Sequence, residues 1–408
     1  MQTRMERHMS SSGPLSGMKV IELAHIMAGP VCGMMLADMG ADVIKVEKPD
    51  GDDSRRFVPP DIAGESAAYM MMNRNKRGIA LNLKDPGAVG VLHALLDSAD
   101  VVIENYRHDT MEKLGLGYET LRKTNPRLVY CAISGFGRSG PYAERGGFDL
   151  IAQGMSGLMS ITGEGPGRPP VKPGAPITDI TAGFLAALGC VAAYSNAQAT
   201  GEGQMVDTSL FEAGISLTYW QSAIAFATGK APGALGSAHP LNAPYQSFRT
   251  RDGWINIGAA NQRNWLRLLD VIGAAELQED PRFASNADRI TNLAALVPIL
   301  EAHLQERNTH EWLALMEAAG LPAGPVMDVC EMHRDEQALA REMIVETEHP
   351  VAGPVKAIGL PVKFSRTPGR VARPAPTLGQ HGREILAEHG FAPERIAELE
   401  QSGAVIIG

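Results

Sequence analysis

The sequence contains little cysteine and no metal-binding pattern. Its 408 residues include four cysteines that are widely separated and form no CxxC pair, namely Cys32, Cys131, Cys190 and Cys330. This spacing argues against a disulfide framework or a zinc ribbon, so we expect four reduced thiols in core or loop positions. The eleven histidines form no HExxH or HxH pair, and we expect no metal site.

A secretory signal, a long hydrophobic segment and an excess of basic charge are also missing. The N-terminal stretch MQTRMERHMSSSGPLSG is polar, and we interpret residues 1–15 as a disordered lead-in. The longest apolar run, 182–194, is predicted to be too short and too rich in alanine and glycine for a membrane span. The formal net charge of −9 argues against nucleic acid or an anionic membrane as a partner. We therefore expect a cytoplasmic protein.

Three common nucleotide and hydrolase motifs are absent. No GxGxxG follows a strand-like run, no GxxxxGK[ST] occurs, and there is no GxSxG. These absences argue against a nicotinamide site of the usual type, a P-loop and a serine hydrolase.

What the sequence does contain is a regular alternation of apolar strand-like and helix-like segments from residue 18 onward. Such alternation predicts an α/β fold, a Rossmann-like large domain with a mostly parallel sheet. After about residue 212 the pattern changes to a Gly/Pro-rich stretch, a predicted hairpin around 251–253 and several helical segments. We predict the large domain over 16–212, a linker over 213–234, a smaller α+β domain over 235–330, and a return to the large domain over 331–408.

Basic residues lie near several predicted strand ends in this acidic protein. The segment NRNKRGIALNLK contains Arg74, Lys76, Arg77 and Lys84, and Lys48, Arg107 and Lys113 flank other strands. Ligands of such sheets bind beyond the carboxyl ends of the strands, so the cluster is consistent with a phosphate-bearing ligand. A solvated surface face is the alternative for each residue taken alone.

A lone carboxylate, Asp179, lies in the stretch KPGAPITDITAGFLAALGCVAAY, between a Pro/Gly-rich approach and a run of small apolar residues. Asp179 precedes a helix-like run, which places it in the first turn of a predicted helix. From the residues alone it is either a helix N-cap or a catalytic group.

Several stretches resemble the class III CoA-transferases. They include HIMAGPVCGMMLADMGADVIKVEKPDGDD, NRNKRGIALNLK, VVIENYRHDTMEKLGLGYETL, GFDLIAQGMSGLMSITGE and TDITAG. The similarity runs in order from about residue 16 to residue 390. That family contains formyl-CoA and carnitine CoA-transferases and, as a close relative, α-methylacyl-CoA racemase.

The resemblance implies that Asp179 attacks an acyl-CoA thioester, giving a mixed anhydride and then an aspartyl-CoA thioester from which an acceptor acid collects CoA. At pH 7 a carboxylate is ordinarily ionised and needs no base. By the same resemblance, the phosphates meet Lys48, Lys84 and Lys113. The full implied CoA-binding set is His25, Ile26, Met27, Ala28, Lys48, Leu81, Lys84, Asn105, Tyr106, Lys113, Gly146, Gly147, Phe148 and Asp149.

The family pattern further implies an interlocked homodimer in which a loop of the partner subunit completes the site. In this sequence that loop is Gly258, Ala259, Ala260, Asn261 and Gln262. The formyl-CoA branch has a tetraglycine loop there and a glutamine where this chain has Met27, which argues against formyl or oxalate specificity. CoA thioesters and a small carboxylic acid are the expected substrates, with no permanently bound cofactor.

Three alternatives remain beside the transferase interpretation. A racemase of this superfamily needs a histidine where this chain has Phe148, and phenylalanine cannot transfer a proton. A non-catalytic CoA-binding subunit is disfavoured because Asp179 is retained within TDITAG. A dehydrogenase is disfavoured because the glycine fingerprint is missing.

Overall fold

The computed structural model describes residues 13–408, so most of the predicted lead-in lies outside the described residues. Residues 13–17 form a turn in which Leu15 is packed. The chain divides into two compact units. Among the described residues, the first unit contains 13–157, 173–217 and 336–408, and the second contains 158–172 and 218–335.

The structure has fourteen strands within the described chain. They are β1 (Lys19–Glu22), β2 (Asp42–Glu47), β3 (Asp61–Ile62), β4 (Glu65–Ser66), β5 (Arg77–Leu81), β6 (Val101–Glu104), β7 (Val129–Ser134), β8 (Met205–Ser209), β9 (Tyr245–Arg249), β10 (Trp254–Gly258), β11 (Ala323–Pro325), β12 (Ile344–His349), β13 (Gly353–Ile358) and β14 (Val405–Ile406).

Eighteen α-helices accompany them over residues 13–408. They are α1 (Ala28–Asp38), α2 (Ala67–Asn73), α3 (Pro86–Asp97), α4 (Thr110–Lys113), α5 (Tyr118–Leu121), α6 (Asp149–Met155), α7 (Leu158–Ile161), α8 (Ile177–Thr200), α9 (Leu210–Ser216), α10 (Tyr219–Thr228), α11 (Gln262–Ile272), α12 (Asn286–Thr291), α13 (Leu293–Leu304), α14 (Thr309–Ala318), α15 (Val329–Met332), α16 (Glu336–Ala340), α17 (Gly382–Glu388) and α18 (Pro393–Gln401).

The first unit is built around a seven-stranded sheet of order β14-β5-β2-β1-β6-β7-β8. All neighbours pair in parallel except β14, which joins β5 antiparallel. The central strands are mostly apolar, and hydrophobic clusters lie on both faces of the sheet. The predicted α/β fold with a mostly parallel sheet is therefore confirmed.

The longest helix of the first unit, α8, has 24 residues. This helix contains the apolar run 182–194, and by length and composition the whole helix could cross a membrane. Here α8 packs against α1, β7 and β8, and its buried alanines belong to the core on that side of the sheet. A buried core helix of an α/β unit has the same apolar composition.

The second unit has its own core around the three-stranded sheet β11-β10-β9. Its largest buried side chains include Trp265, Phe248 and Phe283. The strands β9 and β10 pair antiparallel on either side of residues 250–253, which confirms the predicted hairpin.

Two stretches differ from their prediction. The sequence pattern TMEKLGLGYETLRKTN over 110–125 predicts one continuous helix, but the structure has two short helices, α4 and α5, because Gly115 between them has φ +72°. Residues 213–234, predicted as a linker, contain the end of α9 and all of α10. Alanine, the strongest helix former, recurs through α10, and the Gly/Pro-rich sequence begins only after the helix ends.

Candidate active site

The turn that follows β1 is held by side chains from two other loops. The backbone N–H of His25 donates to Asn105 Oδ1 at 2.9 Å, and Asn105 Nδ2 donates to the His25 carbonyl at 2.8 Å. The N–H of Ile26 donates to the carboxylate of Asp52, at 3.1 and 3.3 Å from its two oxygens. The amide of Asn105, expected to contact CoA, is therefore engaged with the backbone of His25.

Helix α1 begins directly after this turn without a capping side chain. Met27 is its N-cap residue and makes no side-chain hydrogen bond to the first turn. The first backbone N–H groups of a helix have no partner within the helix and carry a partial positive charge. Pro30 has no N–H and the N–H of Val31 donates to the Met27 carbonyl, so the donors that the start of α1 can offer to an anion are the N–H groups of Ala28 and Gly29.

A cavity of about 110 Å³ lies beside the turn. It is lined by three residues of the predicted CoA set, His25, Lys48 and Tyr106, whose imidazole and phenol rings have centroids 5.7 Å apart. Burial lowers the pKa of His25, which favours the neutral imidazole.

The lysines predicted to meet phosphates have different surroundings. Lys48 is half exposed and forms ion pairs with Asp53 at 2.9 Å and Asp50 at 3.7 Å. Lys84 and Lys113 are exposed, and neither forms an ion pair within residues 13–408. Leu81 is buried in β5, so its side chain belongs to the core.

The basic cluster predicted around 74–77 does not form a phosphate-binding rim. Arg74, Lys76 and Arg77 are all buried. Because β5 begins at Arg77, these residues lie near the amino end of that strand. The ion pairs are Arg74–Asp38 at 2.6 Å, Lys76–Glu22 at 2.8 Å and Arg77–Asp42 at 2.6 Å. The interpretation of these three residues as ligand contacts was wrong, because Arg74 and Lys76 neutralise buried carboxylates and the buried guanidinium of Arg77 is paired with the half-exposed Asp42.

Asp179 is the third residue of α8, so its predicted place in the first helical turn is confirmed. The carboxylate is half-buried, and no hydrogen bond or ion pair to it occurs among the described residues. Burial, and secondly the charge of Asp149, raise the pKa of Asp179 to about 7. Burial therefore opposes the ionisation of Asp179 that the residue type alone leads one to expect at pH 7.

Asp149 begins α6 and is tied to the residue before Asp179. Its Oδ1 accepts hydrogen bonds from the backbone N–H and the hydroxyl of Thr178, at 3.0 and 2.8 Å. Its Oδ2 accepts one from Gln153 Nε2 at 2.7 Å. The contacts with Thr178 bring the start of α6 to the start of α8.

The two glycines before Phe148 have different surroundings. A Cβ on Gly147 would lie 2.5 Å from the Cα of Gly135, at the end of β7, whereas a Cβ on Gly146 would meet nothing within 4 Å. Gly147 is therefore required for the close approach of two backbone segments. Phe148 itself is 74% exposed.

The packing of α8 on α1 brings Asp179 to the start of α1. A Cβ on Gly183 would lie 2.7 Å from the carbonyl oxygen of Ala28, so the two helices approach closely there. Farther along, Cys190 approaches Cys32 in a buried group of thiols that also contains Cys131. The two helices therefore run in the same direction, and Asp179, one turn before Gly183, lies on the face toward the first turn of α1.

The predicted partner-subunit loop, 258–262, lies in the second unit. Gly258 ends β10 and Ala259 is buried. Asn261 caps α11 by accepting a hydrogen bond from Asn264 N at 2.9 Å. Gln262 Oε1 accepts one from Arg289 at 3.0 Å. These side chains fix the shape of the loop, and Ala260 lies at its centre.

Comparisons with known proteins define the class. The model of CoA-transferase family III matches residues 15–382, so this chain belongs to that family. A protein of Agrobacterium fabrum named succinate–glutarate CoA-transferase is 41% identical, covering 92% of this chain and 95% of its own. An acetyl-CoA:oxalate CoA-transferase of Acetobacter aceti is 38% identical over 94% of this chain and 97% of its own.

The solved structures agree with this assignment. A CaiB/BaiF family protein from Brucella suis has a TM-score of 0.84 and 39% identity, and the match covers 93% of this chain and 100% of that chain. The protein is thus a class III CoA-transferase that acts between acyl-CoA thioesters and carboxylic acids.

Proposed function

We propose that this enzyme transfers CoA between small dicarboxylic acids by covalent catalysis at Asp179. The observation that supports it best is the position of this carboxylate in the first turn of α8, beside the uncapped start of α1. No cation neutralises Asp179 within the described chain, and its raised pKa is typical of a catalytic group.

In the proposed first half-reaction, a carboxylate oxygen of Asp179 attacks the thioester carbonyl carbon of the donor. The C–S bond breaks, CoA leaves as a thiolate, and a mixed anhydride forms. The thiolate then attacks the aspartyl carbonyl, the acid leaves as a carboxylate, and an aspartyl-CoA thioester remains. The acceptor carboxylate repeats these two steps in reverse order and regenerates Asp179.

Each attack places negative charge on a carbonyl oxygen, which the enzyme must stabilise. Met27 offers a thioether that cannot donate a hydrogen bond. The backbone N–H groups at the start of α1 are donors of the required kind, and the helix dipole adds to their effect. We propose these N–H groups as the oxyanion site, with CoA extending past His25, Lys48 and Tyr106.

The proposed substrate class rests on the relatives. Two proteins that match nearly the full length of this chain are named for succinate and glutarate and for oxalate, all of them dicarboxylates. The chemistry at Asp179 requires only one carboxyl group, so the second must be recognised elsewhere in the site. A racemase remains disfavoured because Phe148 has no titratable group.

We also propose a homodimer in which loop 258–262 acts on the partner's Asp179 site. Large apolar side chains are exposed on both units, among them Leu188 at 67% in the first and Trp220 at 60% and Phe226 at 89% in the second. Exposed apolar surface of this kind is typical of subunit interfaces. Mixing inactive Asp179→Asn chains with inactive loop variants should restore part of the activity; hybrids without activity would contradict the proposal.

The catalytic proposal is tested by initial rates with succinyl-CoA as donor and glutarate, oxalate or acetate as acceptor. We expect parallel double-reciprocal lines with glutarate, weak transfer to acetate, and loss of activity in Asp179→Asn; because Met27 argues against oxalate specificity, oxalate should be a poorer acceptor than glutarate. Full activity of that variant would refute the role of Asp179. Equal transfer to acetate would refute dicarboxylate selectivity alone.

A further inference from the structure

The turn before α1 contains a strained residue. Ile26 has φ +69°, a left-handed conformation that a β-branched residue rarely adopts. Residues in such conformations persist where the surrounding structure imposes them, and they are concentrated at functional sites. The question is which group imposes this conformation.

The carboxylate of Asp52 is the group that faces Ile26. It accepts the Ile26 N–H at 3.1 and 3.3 Å, and its own position is fixed from the other side. Its Oδ1 accepts hydrogen bonds from the backbone N–H and hydroxyl of Ser54, at 2.8 and 2.7 Å. Its Oδ2 pairs with Lys45 Nζ at 2.9 Å. The Asp52 side chain is buried, so it has little freedom to move away.

Lys45 connects Asp52 to the other end of the same turn. Its ammonium group is fully buried and donates to the carbonyl of Ala24 at 2.9 Å and to Glu22 at 3.1 Å. Burial lowers the pKa of Lys45, but Glu22 and Asp52 outweigh burial and raise that pKa, so the pair stays ionised. The turn is therefore held at Ala24 by Lys45 and at Ile26 by Asp52.

We propose that Asp52 is a positioning residue for acyl transfer. By holding Ile26 in its left-handed conformation, it sets the direction in which the chain enters α1 and hence the aim of the first N–H groups toward Asp179. This inference rests on the proposed function, in which those groups stabilise the oxyanion. Asp52 lies in the loop after β2 and lines the cavity beside His25 and Tyr106, but it is not a member of the CoA-binding set that the family resemblance implies.

The proposal predicts a specific kinetic pattern. In Asp52→Ala the N–H groups lose their alignment, and kcat is expected to fall about ten- to a hundredfold. The KM for acyl-CoA should change less than about threefold, because misaligned oxyanion donors affect the transition state more than the bound substrate.

The substitution Ile26→Gly distinguishes a positioning role of Asp52 from a role in stabilising the fold alone. Glycine adopts positive φ without steric cost, so Ile26→Gly removes the strain that Asp52 restrains. We expect the double variant Ile26→Gly with Asp52→Ala to recover kcat by about fivefold or more over Asp52→Ala. If Asp52 only stabilises the fold, Asp52→Ala should lower both the melting temperature and kcat, and adding Ile26→Gly should restore neither.

Two reference variants complete the experiment. Asp38→Asn removes a comparable buried ion pair at the far end of α1, and it should lower the melting temperature with kcat unchanged. Asp179→Asn tests the proposed function itself. Suppose that Asp179→Asn is inactive, so that the proposed function stands. The positioning role of Asp52 is then refuted if Asp52→Ala keeps wild-type kcat. It is also refuted if Asp52→Ala loses kcat and Ile26→Gly does not restore it. If Asp179→Asn is fully active, both fail.

Discussion

Replacing Asp149 with asparagine should shift the pH dependence of the reaction toward acid. Burial is the largest cause of the raised pKa of Asp179, and the negative charge of Asp149 is the second. Asparagine keeps an oxygen for the two hydrogen bonds from Thr178. Its amide can donate to Gln153 Oε1 once that side chain turns over, and this oxygen has no partner in the wild-type structure. The variant therefore removes charge with little change in packing.

The size of the shift follows from the order of the two causes. The pKa of Asp179 rises from 3.8 to about 7, and burial contributes more of this rise than Asp149. The charge of Asp149 thus accounts for less than half, and we expect its loss to lower the pKa by about one pH unit. At pH 6 the ionised fraction of Asp179 should then rise roughly fivefold.

The assay is kcat/KM for the acyl-CoA donor between about pH 5 and pH 9, which reports the free enzyme. Because the ionised carboxylate is the nucleophile, wild-type activity should be lost as pH falls through about 7. In Asp149→Asn the midpoint should move to about 6.

The substitution Asp100→Asn is the control for the shift in the pH midpoint. Asp100 lies just before β6, at the amino end of the strand, and accepts a hydrogen bond from Lys19 N at 2.9 Å. Asp100→Asn should leave the midpoint unchanged. An unchanged or more alkaline midpoint in Asp149→Asn would refute the electrostatic coupling of the two carboxylates.

Three further predictions concern folding and accessibility. Gly147→Ala should lose roughly 1–3 kcal/mol of unfolding free energy, because its Cβ would clash with Gly135, whereas Gly146→Ala should be near neutral in urea titrations. Lys76→Met should destabilise the protein by roughly 3–5 kcal/mol in the same assay, because it leaves part of the charge of Glu22 buried without its partner. Iodoacetamide should modify only Cys330 in the native protein and all four cysteines after denaturation, as counted by intact mass, because the other three are buried.

The fold was predictable because its signal is local. The strands β1, β2, β6 and β7 are short apolar runs, and the helices between them show apolar residues at helical spacing. The division of the 110–125 segment depended on one glycine with positive φ, which the pattern did not distinguish from a helical residue. The pairing of β14 with β5 joins segments more than 300 residues apart, and no local pattern encodes it.

The site was predictable only in part, because burial and charge pairing are tertiary properties. The sequence located Asp179 in a first helical turn but could not place Asp149, thirty residues earlier, close enough to raise its pKa. Arg77 looked like a ligand contact because its carboxylate partners, Asp42 and the helix α17 glutamates, are distant in sequence. The acidic sequence GDD after β2 could have drawn attention to Asp52, but nothing in the sequence indicates that its carboxylate contacts the backbone of Ile26.

The most direct test of the central claim is mass spectrometry of the enzyme after brief incubation with succinyl-CoA and trapping with hydroxylamine. If Asp179 forms an acyl anhydride or a CoA thioester, trapping converts its side chain to a hydroxamate. The account predicts a mass change on the peptide that contains Asp179, absent from Asp179→Asn and dependent on the donor. Turnover of succinyl-CoA with glutarate without any modification of that peptide would contradict it.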